Sequence, residues 1–205
     1  MLITICGPSG SGKDMIMKYM IDNPDYNIKP IVPVTTRPKR YGEQDGIDYH
    51  FVSVDEFKKL IDDNKLVYYE EYSQDRFYGV LNRDILKAFC VIDEIYVVIV
   101  TPNGLRAINN ITRYSSEMYL SLYINVSLGT RVSRYINRIG KDEFNFDDMN
   151  EINARVNRDF GMFLNIKQEC DMIIDNPDVD DTSTHMKSII NQIFASDKIS
   201  KYLEK

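Results

Sequence analysis

The stretch Gly7-Pro8-Ser9-Gly10-Ser11-Gly12-Lys13 lies between the apolar run Leu2-Ile3-Thr4-Ile5-Cys6 and the helix-like Met15-Ile16-Met17-Lys18-Tyr19-Met20. The order is strand, glycine-rich loop, helix. Three glycines let the loop turn its backbone N–H groups toward one point with no Cβ in the way, and the helix start adds unsatisfied N–H groups and a positive dipole end. Such a cradle suits a phosphate chain, to which Lys13 brings a mobile charge at the β- and γ-phosphates. Spacing and context together make Gly7, Pro8, Ser9, Gly10, Ser11, Gly12 and Lys13 a nucleotide triphosphate site. The next position, commonly a Ser or Thr whose hydroxyl binds Mg²⁺, is Asp14. A carboxylate is a better ligand for that ion but carries negative charge toward the phosphates, so Asp14 is the expected metal residue, with altered geometry. The plainer reading is a glycine-rich turn with an Asp capping the helix.

At 205 residues the chain fits one α/β domain with inserted subregions, and 43% hydrophobic with 27% charged residues describes a soluble globular protein. No apolar run nears the roughly 20 residues that span a bilayer, and the N-terminus enters a strand, so a cytoplasmic protein with no membrane partner is expected. The net charge of −6 argues against nucleic acid as the main partner. Cys6, Cys90 and Cys170 are odd in number and far apart, which yields neither a disulfide framework nor a zinc site. His50 and His185 are isolated.

Along the chain, 27–34 reads as one strand interrupted by Pro30 and Pro33, followed by a polar loop that concentrates Arg37, Lys39 and Arg40. A guanidinium grips phosphate through two N–H groups, so this is a second anion site in waiting, or else a solvated basic loop. Ser53 with Glu56 forms a capping box ahead of a helix ending near Asn64. Residues 66–72 and 77–81 read as a hairpin, which makes 34–83 a small, largely β insertion. The runs 91–100 and 118–126 suit buried parallel strands with a short helix between them at 102–109. A helix at 130–138 carries Arg131, Arg134 and Arg138, and 139–146 shows no period. An amphipathic pattern with Arg155 and Arg158 covers 148–167, then come a strand at 172–174 and a helix at 182–195.

The segment Thr35-Thr36-Arg37-Pro38-Lys39-Arg40-Tyr41-Gly42-Glu43, with Asp48-Tyr49-His50-Phe51, resembles the signature of the guanylate kinase family, and the likeness runs along nearly the whole chain. It implies a P-loop NTPase three-layer fold, α/β, with a parallel core sheet, a small β-rich NMP-binding insertion and a helical lid. The expected division of this single domain is a core of 1–33, 84–130 and 153–205, an acceptor-binding region of 34–83 and a lid of 131–152. By the same resemblance Arg37, Arg40, Tyr49 and Tyr78 hold the acceptor phosphate, and Arg134, Arg138 and Arg155 join Lys13 in neutralising the transferred group. The sequence departs from the family pattern where guanine is read, with Tyr68 or Tyr69 in place of a glutamate and Val80 of a serine; near the acceptor phosphate, with Pro33 in place of a serine; and after the core strand, where Ile99 and Thr101 replace aspartates and leave Asp14 to supply the metal-side carboxylate. Glu70 and Glu71 lie close enough to substitute as acceptor-binding residues.

The resemblance implies an enzyme, an ATP-dependent nucleoside monophosphate kinase with GMP or dGMP as acceptor, Mg²⁺ as cofactor, and a monomer or homodimer as the assembly. Two alternatives stand beside it. Tyr78-Gly79-Val80, Asp14 and Glu151-Ile152-Asn153-Ala154-Arg155 are similar to ribose 1,5-bisphosphate phosphokinases, and the fold also serves non-catalytic binding modules.

Overall fold

In the computed structural model, which describes residues 1–112, 116–140 and 144–204, the run after Met1 forms β1 (Leu2–Cys6), every residue of it buried. Alternation along β1 sends Ile3 and Ile5 to one face and Leu2 and Cys6 to the other, and both faces find cores. The first packs on α1 (Lys13–Ile21) through Ile16 and Met20, and on α7 (Thr182–Phe194) through Met186, Ile189, Ile190 and Ile193. The second packs on α3 (Asn82–Cys90) through Ile85 and Ala88, and on α4 (Pro102–Thr112) through Leu105 and Ile108. Helix, sheet and helix make the expected three layers. The one polar residue within β1, Thr4, meets the Tyr119 hydroxyl at 2.9 Å.

The core sheet has the order β2-β7-β1-β8-β9, with every neighbour parallel. Its other strands are β2 (Ile28–Pro30), β7 (Ile95–Ile99), β8 (Tyr119–Asn125) and β9 (Met172–Asp175). The single strand expected over 27–34 is two strands in two sheets. Ile31 N–H makes the last bond to the core sheet, at Val97 O (2.8 Å), and Pro33 O accepts from His50 N–H (2.8 Å) in the next one. Two prolines without N–H groups mark the crossing.

The second sheet runs β4-β3-β6-β5, built from β3 (Val34–Thr35), β4 (His50–Phe51), β5 (Leu66–Ser73) and β6 (Arg76–Leu81). α2 (Val54–Asp62) covers one face, opened by the expected Ser53–Glu56 capping box, with Phe57 stacked on Phe77 at 5.3 Å. The other face carries Tyr68, Glu70, Tyr78 and Val80, which are cross-strand partners.

Further differences from the sequence reading have local causes. α3 was not expected, because Leu81 at its N-cap offers no capping side chain. The long pattern at 148–167 is α6 (Phe146–Met162), stopped ahead of Asn165, whose φ of 68° is left-handed. α5 (Leu128–Ile139) spans the expected arginine-bearing helix, and α8 (Asp197–Leu203) continues beyond α7. Part of the aperiodic stretch 139–146 lies outside the described residues.

Tyr68 lies so close on Gly104 of α4 that a Cβ there would stand 2.3 Å from Tyr68 Cζ. Gly104→Ala should destabilise the protein by about 2 kcal/mol through overpacking, lowering Tm by roughly 4 to 8 °C. Adding Tyr68→Ala should recover part of that loss in thermal denaturation.

Candidate active site

The phosphate loop leaves the buried end of β1 and closes on itself through Ser11 N–H to Pro8 O (3.2 Å). Gly10 and Gly12 have φ of 79° and 88°, and each also backs onto a neighbour. A Cβ at Gly12 would fall 2.5 Å from Asn176 Nδ2, and one at Gly10 3.3 Å from Arg131 O. Lys13 folds back to donate to Gly7 O (2.7 Å) and Pro8 O (3.0 Å). Burial pushes its ammonium pKa down, partly offset by Asp14, Cys6 and Asp159. A desolvated cation of this kind gains when phosphate arrives.

Two cavities meet at Lys13. The first, about 470 Å³, is lined by Gly12, Asp14, Arg134, Arg138, Asn176 and Thr182 among others. Arg134 is pinned there by donating to Asp178 Oδ1 (2.9 Å), Gly10 O (3.2 Å) and Asn176 O (3.0 Å), and Asn176 Nδ2 donates to Ser11 O (2.8 Å). The Arg138 guanidinium stands 5.8 Å from the Tyr135 ring. Asp14 is exposed at the rim, where a hard carboxylate oxygen next to the loop suits a Mg²⁺ that keeps its other ligands from phosphate and water. Among the described residues no group of three His, Cys, Asp or Glu is arranged to hold a metal by itself.

The second cavity, about 480 Å³, runs from Gly7, Ser9 and Lys13 to Arg37, Arg40, Tyr49, Tyr68 and Tyr78, with Arg155 and Asp159 on its wall. Arg37 is buried and grips Glu43 with two N–H groups (2.9 and 2.7 Å), its guanidinium 5.2 Å from the Tyr49 ring. The same Glu43 accepts from Arg40 N–H (2.7 Å), so one carboxylate shapes the whole 37–43 turn and leaves the exposed Arg40 side chain facing the cavity. Arg155 Nε donates to Glu151 Oε1 (2.9 Å) one turn back.

The glutamates left open by the sequence separate here. Glu71 lies opposite Phe77, on the α2 side of the sheet, and accepts from Asp75 N–H (3.1 Å) in the hairpin, so it is not part of the cavity. Glu70 lies on the same face of the sheet as Tyr68 and Tyr78, just beyond the residues that line the cavity, and Asn103 Nδ2 donates to its Oε1 at 2.7 Å. Its Oε2 is buried and has no hydrogen-bond partner among the described residues. The Tyr68 phenol, pushed up chiefly by burial, lies against the Thr101 backbone. The sequence reading passed over Arg76, Asn103, Tyr135 and Asp159. Only Asp159 had a signal, the i, i+4, i+8 stripe Glu151, Arg155, Asp159 along one face of α6.

A triphosphate loop opening into a second anion site, both carried on a parallel three-layer fold, defines a P-loop kinase of small phosphorylated acceptors. A family model described as guanylate kinase matches residues 1–193, and the chain belongs to the guanylate kinase family. It is 29% identical to a guanylate kinase of Bacteroides fragilis over 196 residues, covering 96% of this chain and 91% of that one. A guanylate kinase of Bacteroides thetaiotaomicron is 32% identical over 123 residues, covering 60% of this chain and 58% of that one. The crystal structure of guanylate kinase from Anaplasma phagocytophilum has the same fold, with TM-score 0.61 at 20% identity over 99% of this chain and 93% of that one. These likenesses do not favour the sugar-phosphate kinase or the binding module.

Hydrogen bonds from Arg37 hold the Glu43 carboxyl down to about 2 from its ordinary 4.5. A depressed carboxylate pKa stabilises the fold above its unfolded value, and that stabilisation drains away as pH falls through the folded one. The Tm advantage of the native chain over Glu43→Gln should therefore be full above pH 4.5 and shrink from 4.5 toward 2, as followed by calorimetry.

Proposed function

We propose that this chain transfers the γ-phosphoryl group of ATP to GMP, with dGMP as a related acceptor. The observation that carries the reading is the single cavity joining Lys13 and the phosphate loop to Arg37, Arg40, Tyr49 and Tyr78. Donor and acceptor are both anions, so catalysis consists of aligning two phosphates and masking their repulsion. The loop amides of Gly10 and Gly12 and the Lys13 ammonium receive the donor; Arg134 and Arg138, expected to neutralise the transferred group, line the first cavity and not the second, and so serve the donor side of the loop. Arg40 grips the acceptor phosphate, Arg37 braces the turn that presents it, and Tyr49 and Tyr78 add neutral donors. Arg155 stands between the two substrates. The attacking phosphate oxygen is already ionised, so no general base is required. Mg²⁺ held by Asp14 would supply charge masking on the ATP phosphates.

For the base, Glu70 is the acceptor of guanine N–H groups, oriented by Asn103 and offering its unpartnered Oε2. In this reading 34–83 is the acceptor region, 131–152 the lid, and the remainder the core. As a consumer of ATP the enzyme works in the cytoplasm; among the described residues no helix is long and apolar enough to cross a membrane.

The test is ADP release from Mg-ATP across GMP, dGMP and the other nucleoside monophosphates, and the reading falls if guanine nucleotides are not turned over. Arg40→Ala should raise the KM for GMP roughly tenfold to a hundredfold, the scale of a lost charged hydrogen bond, leaving the KM for ATP within about twofold. Glu70→Gln should erode the preference for GMP over AMP; unchanged selectivity would remove Glu70 from base reading.

A further inference from the structure

Ser9, the third residue of the phosphate loop, is held at three atoms by α5 and α6. Its N–H donates to Asp159 Oδ2 at 2.8 Å, its carbonyl accepts from Arg131 Nε at 2.8 Å, and its hydroxyl bonds the Tyr135 hydroxyl. Arg131 and Asp159 also pair with each other, at 9% and 3% exposure. They come from opposite sides of the 131–152 segment. Arg131 is in the first turn of α5 and Asp159 in the last turn of α6. The neighbouring Gly10 has its backbone against Arg131 and Tyr135, where a Cβ would meet Arg131 Cβ and Tyr135 Cε2 at 3.4 Å.

Burying a guanidinium and a carboxylate is unfavourable unless their hydrogen bonds are well satisfied, and here each satisfies itself on one backbone unit of the loop. A chain with three glycines loses much conformational freedom when it wraps an anion. Holding both the N–H and the C=O of Ser9 sets its two dihedrals. Pro8 before it has φ set by its ring, and Gly10 after it is confined by the contact with α5. The outer half of the loop is thereby ordered by the protein itself.

We propose that Asp159 and Arg131 are positioning residues for the donor: they fix the Ser9 backbone so that the phosphate loop has its binding shape before nucleotide arrives, Arg131 also cancelling the Asp159 charge beside the incoming phosphates. This rests on the donor role of the loop given above. Arg131 does not line the acceptor cavity, and Asp159, on its wall, spends its carboxylate on Ser9 and Arg131.

Binding of ADP, measured by calorimetry on the full chain, separates this from a general structural role. Asp159→Ala should weaken ADP binding tenfold or more while the KM for GMP stays within about twofold, and Asp159→Asn, whose amide oxygen still accepts from Ser9 N–H, should recover most of the loss. Equal weakening of donor and acceptor with no recovery in Asp159→Asn, or unaltered ADP binding in Asp159→Ala, would overturn the assignment. Hydrogen exchange on the native chain makes the decision independent of how the variants fold. Slow exchange at the Ser9 and Ser11 amides, which are bonded to Asp159 and to Pro8 O, is expected without nucleotide, and fast exchange at both until ADP is added would overturn it. A native chain that binds no ADP at all would instead remove the donor reading on which the proposal rests.

Discussion

A strand buried on both faces has to release its chain at an edge of the sheet, and in a parallel sheet all the carboxyl ends share one edge. β1 imposes that constraint here. The phosphate loop after Cys6, the Thr101 turn after β7, the start of α5 after β8 and the Asn176 turn after β9 all emerge together. Asn176 and Arg134 are consequently within hydrogen-bonding reach of the phosphate loop, although more than a hundred residues separate each of them from it in sequence. The apolar alternation of five residues thus sets the location of the chemistry.

Four arginines at or beside the cavities are held by a carboxylate: Arg37 by Glu43, Arg131 by Asp159, Arg134 by Asp178 and Arg155 by Glu151. The pairing explains how an acidic protein carries anion sites. Each carboxylate orients a planar fork and spares it the disorder of a long side chain, and its charge also lowers affinity for any anion that merely drifts in. Arg131–Asp159 and Arg37–Glu43 have no exposed partner to exchange for substrate, while Glu151 and Asp178, at 61% and 57% side-chain exposure, are easily outcompeted.

The parts legible in sequence were those with local causes. The phosphate loop is contiguous, the Ser53 capping box occupies four residues, and strand alternation survives in β1, β7 and β8. The basic turn was legible because Arg37, Arg40 and Glu43 act within one loop. What escaped depends on distant contact or on irregularity. The split at 31–33 needed the knowledge that two sheets exist, and α3 has no cap to announce it. Glu70 and Glu71 could not be separated by alternation, because a register shift between Leu66 and Tyr68 reverses the face on which the rest of β5 falls. Asp159 reads as one more polar residue of an amphipathic helix until Ser9, 150 positions earlier, is set beside it.

The crossing at 31–33 has a mechanical meaning. Ile31 is buried and bonded into the core sheet, and Pro33 is bonded into the small one, so Val32 is the single unanchored link on that side. On the other side β6 passes into α3 at Leu81 and Asn82 without a loop, and Asn82 N–H is itself held by Lys65 O at 2.8 Å. Two short joints with no slack, together with Tyr68 packed on Gly104 and Glu70 bonded to Asn103, hold the small sheet against α4 and resist its sliding or peeling away. The molecule is built less like two beads on a string than like two leaves sewn at close-set stitches, and lengthening either joint by one residue would slacken the seam on which the packing of Tyr68 against Gly104 depends.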